Sequence, residues 1–322
     1  MSSAAILQTL APGAIDLDDT TYLLRPDPGP PNPSLVDSMA DLGLLQPPLL
    51  HNREDGCAVI LSGRQRIAAA ALLGLAGIPV LVLPAATPLS RRLELLAEHA
   101  RIGSELSIIE QATLMNKAEQ WLSEQECLDL LARLGHRPVP HVLRELTSLL
   151  ELEKTAVLAL HRQKLHPRAG RKLARLKAGD QREIVRLITA LRLGGSRQQK
   201  LVDMATELIM RQNRAFGEIV GEMEKKIGWQ VREKNIPQQA AALLQWLHGQ
   251  CFPRSEAAAA DFRRFCRRLE LPTGVRIRHT PAFEDDRLTL EIDFRNRQEL
   301  LQRWPQILNI LETGAAAAGS DG

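Results

Sequence analysis

The spacing of apolar residues changes twice along the chain. Up to residue 87 they come in short runs between turn signals. Ile15 to Leu24 predicts a strand, and residues 1–12 before it read as a loose tail. Arg25 to Pro33 holds five prolines and one glycine, which forces an extended or turning segment. Ser34 reads as an N-cap. Leu35, Met39 and Leu42 follow at helical spacing, and Gly43 is the stop. Leu49-Leu50-His51 and Cys57 to Leu61 flank the polar turn Asn52 to Gly56, as the two arms of a hairpin would. Gly63 opens an alanine-rich helix over Gln65 to Leu73. Gly74 to Gly77 ends it, and Ile78 to Leu83 is a run of branched residues suited to a strand. Strand, helix, two strands, helix and strand make a small α/β domain over residues 13–88.

From Leu89 to Gly217 apolar residues recur at spacings of three and four. Breaks fall at Gly103, Gly135 to Pro140, His166-Pro167, Gly179 and Gly194-Gly195. This predicts a bundle of short helices over residues 89–217. Residues 218–313 are mixed. Pro237 to Leu247, Ala257 to Leu269 and Leu300 to Leu311 read as helices. Val275 to His279 and Leu288 to Phe294 alternate as a hairpin around Glu284-Asp285-Asp286 would. In Phe262 to Arg268 four arginines share a helix whose Phe262, Phe265 and Leu269 are expected to face inward. Residues 314–322, rich in alanine and glycine, read as a disordered tail. The fold class expected is α+β: an α/β domain, an all-α bundle and a C-terminal α+β region with a hairpin.

Composition narrows the function. The 322 residues carry only six Phe, four Trp and one Tyr, too few for an aromatic platform that stacks single-stranded bases. No run approaches the ~18 apolar residues of a membrane span, and Met1 to Leu10 lacks the basic start of a secretory signal. Cys57, Cys127, Cys251 and Cys266 are scattered. They are expected to be small buried hydrophobes in a reducing cytoplasm rather than metal ligands or a disulfide framework. The net charge of +3 conceals a segregation. Residues 1–60 carry −6, residues 151–215 carry +9, and the two other stretches are neutral. A helical block at +9 suits a polyanion, and is also what a solvated helical face would look like.

The sharpest local feature is Ile60-Leu61-Ser62-Gly63-Arg64-Gln65-Arg66. A strand ends, a glycine turns the chain, and two arginines enter the first turn of a helix. Free N–H groups and the helix dipole favour an anion there, Gly63 admits it closely, and Arg66 can pair with phosphate. A tight turn carrying surface arginines would read the same way.

Leu35 to Leu83 resembles the ParB/RepB partition-protein family. The carrying motifs are Gly43-Leu44-Leu45-Gln46-Pro47, then Ser62-Gly63-Arg64-Gln65-Arg66-Ile67-Ala68-Ala69-Ala70, then Leu75-Ala76-Gly77-Ile78-Pro79-Val80, in the family's order and spacing. Weaker matches at Ser107 to Ala112, Leu149 to Leu152 and Leu160 to Leu165 extend the likeness to about residue 175. The resemblance implies a ParB/sulfiredoxin-like N-terminal domain that binds CTP with magnesium, followed by a helix-turn-helix that binds double-stranded DNA. By position, Gly43 and Gln46 would line the nucleotide pocket. Ser62, Gly63, Arg64 and Arg66 would surround the triphosphate. Glu98-His99-Ala100-Arg101 stands where the family has E-N-x-x-R. Glu98 would contact the metal and Arg101 the phosphates, but the asparagine is missing and the arginine comes one place early. Binding of CTP is therefore expected ahead of its hydrolysis.

Ser123 to Leu134, the turn Gly135 to Pro140, and His141 to Leu150 form the candidate helix-turn-helix. His136, Arg137, His141 and Arg144 would reach base edges. Arg162, Lys164, Arg168, Arg171, Lys172 and Arg175 would contact phosphates. The resemblance further implies a homodimer, a ParA-type ATPase as partner, and a nucleoid-associated role in chromosome or plasmid partition. Two alternatives stand beside it: a ParB-like regulator without nucleotide turnover, and a nucleotide-dependent small-molecule kinase on the same scaffold. A sulfiredoxin reading fails because Ser62-Gly63-Arg64 contains no cysteine.

Overall fold

The computed structural model describes residues 4–54, 56–103, 105–231, 234–269, 271–279 and 287–318. The chain divides into two compact units, Met1–Ala240 and Ala241–Gly322.

The first unit opens on a sheet in the order β1-β4-β2-β3. Strand β1 is Ile6–Leu10, inside the stretch expected to be a tail. It pairs antiparallel with β4, Ile78–Leu83, from Ile6 against Val82 to Leu10 against Ile78. The expected strand over Ile15 to Leu24 does not form. Asp16 Oδ1 accepts from Asp18 N at 2.8 Å and Asp19 Oδ1 from Thr21 N at 2.7 Å. Such side-chain turns take the backbone donors that a ladder would need. Helix α1, Pro33–Leu42, starts two residues earlier than expected: Asn32 is the N-cap, accepting from Ser34 N at 3.1 Å, and Pro33 fills the first turn. Gly43 closes the helix at φ +75°.

Strands β2 (Leu49–Asn52) and β3 (Ala58–Ser62) form the hairpin, and β2 runs parallel to β4. Helix α2, Arg64–Leu72, lies between β3 and β4 in sequence. Ile15, Met39, Leu50, Ile60, Ile67, Ala69, Ile78, Val80 and Val82 form one core between sheet and helices.

The remainder of this unit is helical. Helix α3 is Leu89–Gly103, α4 Ile108–Trp121, α5 Glu124–Arg133 and α6 Pro140–Thr147. Helix α7 is Lys154–His161, α8 Pro167–Leu173, α9 Ala178–Ala190, α10 Gly195–Gln212 and α11 Phe216–Ile227. Capping boxes, Ser107 with Glu110 and Ser123 with Glu126, start α4 and α5. Gly179 is not a break. It lies in the first turn of α9, where backbone N–H groups have no intrahelical partner in any case. Three glutamines act alike: Gln111, Gln181 and Gln198 each donate Nε2 to the carbonyl five residues back, at 2.9, 2.9 and 2.7 Å.

The second unit holds the rest of α12 (Ile236–Cys251), α13 (Pro253–Arg268), the hairpin β5 (Val275–His279) with β6 (Leu288–Ile292), and α14 (Arg297–Ala318). The residues Glu284-Asp285-Asp286 fall outside the described residues. The expected disorder from residue 314 is replaced by helix to Ala318, in keeping with alanine's helix preference. Phe262 and Phe265 are half-buried with ring centres 6.4 Å apart, and Leu269 is buried. Arg263 and Arg264 pair along their own helix with Glu256 and Asp261. Cys127 and Cys251 are buried as expected, but Cys57 is exposed, at the end of the hairpin turn. No described helix is long and apolar enough to cross a membrane.

Candidate functional site

The glycine turn is built by sterics. Gly63 is the N-cap of α2 at φ +95°, in the left-handed region that glycine alone enters freely. A Cβ there would stand 2.9 Å from both Cα and Cβ of Pro48. Pro48 in turn accepts from Leu81 N at 2.8 Å, so the turn is fixed to the sheet.

Around this turn lies a cavity of about 400 Å³. Gly43, Gln46, Ser62, Gly63, Arg64 and Arg66 all line it, although residues 43–46 and 62–66 belong to different segments. Tyr22, Leu24, Arg25, Leu96, Ala100, Leu106 and Glu110 close the rest. Its volume falls within the ~300–1,000 Å³ of small-ligand sites.

The arginines of the turn have structural duties. Arg64 donates to the main-chain oxygens of Leu17 and Asp19, holding the Asp-rich loop. Arg66 Nη1 donates to Gln46 O at 2.8 Å and lies 3.4 Å from Pro47 O. Burial lowers the pKa of Arg66 from its ordinary value. Gln65 donates to Pro28 O at 2.6 Å and accepts from Asn32 N at 3.1 Å, tying the proline-rich segment to α2.

Glu98 and Arg101 do not join this group. They pair with each other on α3 at 2.8 Å, side chains 43% and 69% exposed, and neither lines the cavity. Among the described residues no cluster of three or more His, Cys, Asp or Glu could hold a metal. The carboxylate expected to hold magnesium is thus engaged by Arg101 and stands outside the cavity lining. His99, which stands in place of the family's asparagine, donates Nε2 to Pro47 O at 3.0 Å, while its Nδ1 is buried without a partner. Burial, and then Arg66, hold the pKa of His99 below its ordinary value.

Sequence reasoning missed Arg25 and Glu110. Arg25 Nε stands 3.4 Å from Glu110 Oε1. Glu110 also accepts from Ser107 N at 2.9 Å and lies 3.9 Å from His161 Nδ1. The Ser107-x-x-Glu110 capping box was a legible signal for Glu110; nothing local marks Arg25.

The helix pair forms as expected, with different ends. Gly135, at φ +85°, closes α5: its N–H reaches Ala132 O at 3.0 Å, and His136 N reaches Leu131 O at 3.2 Å. Helix α6 ends at Thr147, and Ser148–Glu151 tighten into a 3-10 turn, so the helix expected to reach Leu150 is shorter. Leu143 and Leu146 face inward, while His141 and Arg144 are exposed. His136 is drawn inward, with Nε2 2.7 Å from Gln111 Oε1. Arg162, Arg171 and Lys172 pair with Asp27, Glu145 and Asp203. Among the described residues Arg137, His141, Arg144, Lys164, Arg168 and Arg175 make no ion pair, and all six are exposed.

No family model matches the chain, and no curated protein matches it. Solved structures do. The C-terminally truncated chromosome-partitioning protein ParB from Caulobacter crescentus, complexed to the centromeric parS site, is 16% identical; the match covers 61% of this chain and 98% of that one, with a TM-score of 0.34. The same truncated protein complexed with CTP-gamma-S is 17% identical over 57% and 98%, with a TM-score of 0.25. A Pnob8-like ParB-N domain is 12% identical over 78% and 99%, with a TM-score of 0.34.

Proposed function

We propose that this chain is a ParB-like DNA-binding protein that holds CTP in the cavity at Gly63 and duplex DNA on its helical segment, in partition or a related nucleoid role. The observation that carries the reading is the convergence of two sequence motifs on one cavity. Gly43 and Gln46 come from one, Ser62, Gly63, Arg64 and Arg66 from the other. The N-terminus of α2, with its unbonded N–H groups and the positive end of the helix dipole, favours the phosphates there. CTP supplies a triphosphate and a cytosine ring for recognition. The chain's residues bind and orient it, and Glu98 is given no part in holding magnesium.

The DNA reading rests on exposed basic and hydrogen-bonding side chains that make no ion pair among the described residues. Arg144 and His141 on α6 suit a groove, and Lys164, Arg168 and Arg175 suit the phosphate backbone. Arg137, exposed in the turn before α6, suits the same groove. Homodimerisation fits exposed Leu301, Trp304 and Leu308, spaced at helical intervals on α14; light scattering should give twice the chain mass. A gel shift on duplex DNA at low salt, with and without CTP, tests the whole. Binding that CTP alters supports the reading, and absence of binding at any salt rejects it.

A further inference from the structure

The three arginines that line the cavity are not equivalent. Arg64 and Arg66 are bonded to main-chain carbonyls, as described above. Arg25 differs from them. Among the described residues, its one charged neighbour in bonding range is Glu110, at 3.4 Å, beyond the ~2.7–2.9 Å of a close charge-assisted bond. The Arg25 side chain is 46% exposed and that of Glu110 13%. Glu110 has other partners: it caps Ser107 N and faces His161. Without Arg25 its carboxylate would still be bonded.

We propose that Arg25 is the exchangeable cation of this cavity, leaving Glu110 to bind a phosphate group of the occupant. The proposal rests on the cavity being the nucleotide site. A phosphate offers the planar guanidinium two acceptor oxygens and at least a full negative charge. The ion pair it displaces is long and partly open to water, a class worth little on its own. Phosphate and Glu110 then compete for one cation. Glu110 acts as a restraint on binding, by holding Arg25 as well as by its own negative charge.

The competition gives mutations of opposite sign. In calorimetric titrations of the full chain with CTP, and separately with inorganic tripolyphosphate, Arg25→Ala should weaken binding by about tenfold or more. Glu110→Gln keeps the cap, since glutamine serves a capping box as well. It should tighten binding about two- to fivefold, the worth of a partly exposed ion pair. In the Arg25→Ala background Glu110→Gln should tighten binding less than it does in the wild type, because only the direct charge repulsion remains to be relieved. Circular-dichroism melts of each variant confirm folding. Equal binding by wild type and Arg25→Ala overturns the proposal while leaving the nucleotide reading intact. So does Glu110→Gln weakening CTP in both backgrounds. Binding of tripolyphosphate that needs Arg25, with no binding of CTP, rejects the nucleotide reading and keeps Arg25 as the anion contact. Binding of neither rejects both.

Discussion

Pro48 fills the space that a side chain on Gly63 would need. A methyl group on Gly63 would lie 2.9 Å from the Pro48 Cα, and the glycine also holds a φ of +95°. This contact ties the turn that opens α2 to the start of β2. Two penalties therefore meet in Gly63→Ala: a left-handed backbone, at about 1–2 kcal/mol, and an overpacked contact, at about 1–3 kcal/mol. Urea unfolding should show a loss of about 2–5 kcal/mol. A loss below about 0.5 kcal/mol would mean that Pro48 moves aside freely.

Four histidines give the protein an acid-sensitive stability. Burial is the largest cause that lowers the pKa of His51, His99, His136 and His161 from 6.5. Arg92 adds to it at His51, Arg66 at His99 and Arg171 at His136. A lowered folded pKa means that the unfolded chain takes up protons first as the pH falls through 6.5. Stability is thus intact above that value and declines below it. The Tm should be lower near pH 5.5 than near pH 7.5. An unchanged or higher Tm at the lower pH would contradict this.

The unpaired cations should set the salt dependence of DNA binding. Removing one cation from a phosphate reduces the slope of log K against log salt by about 0.9. Arg168→Ala with Arg175→Ala should flatten the slope by about 1–2 and weaken binding evenly across sequences. Arg162→Ala, which removes a residue already paired with Asp27, should change it less. An equal effect of the two would remove the distinction between paired and unpaired arginines.

Gln198 is 5% exposed and serves three backbone groups. Its Nε2 donates to Leu193 O and Lys164 O, at 2.7 and 3.0 Å, and its Oε1 accepts from His166 N at 2.7 Å. It fastens the start of α8 to that of α10. Gln198→Leu fills much the same space but leaves these groups unpaired. A loss of about 1–3 kcal/mol is expected in thermal or urea unfolding. A neutral result would mean that water replaces all three bonds.

Most helices were legible because periodicity, caps and glycine stops agree locally, as in Ser123 to Gly135. Strand β1 was not. Ile6–Leu10 is an exposed edge strand, so it carries no buried face to produce alternation, and its partner β4 lies some seventy residues on. Ile15 to Leu24 looked like a strand because its apolar residues hid the turns made by Asp16 and Asp19. At the site, the contiguous motifs were found and the remote contributors were not. Arg25 reaches the cavity from the proline-rich segment and Glu110 from the first turn of α4; only folding joins them. Position along the chain brings Glu98 into the motif but cannot show that its carboxylate faces Arg101.

Hydrogen–deuterium exchange with and without CTP both detects the ligand and locates it. Exchange should slow in peptides spanning residues 22–28, 43–46 and 60–66, three of the segments that line the cavity. Unchanged exchange in all three, or protection confined to other segments, would contradict it.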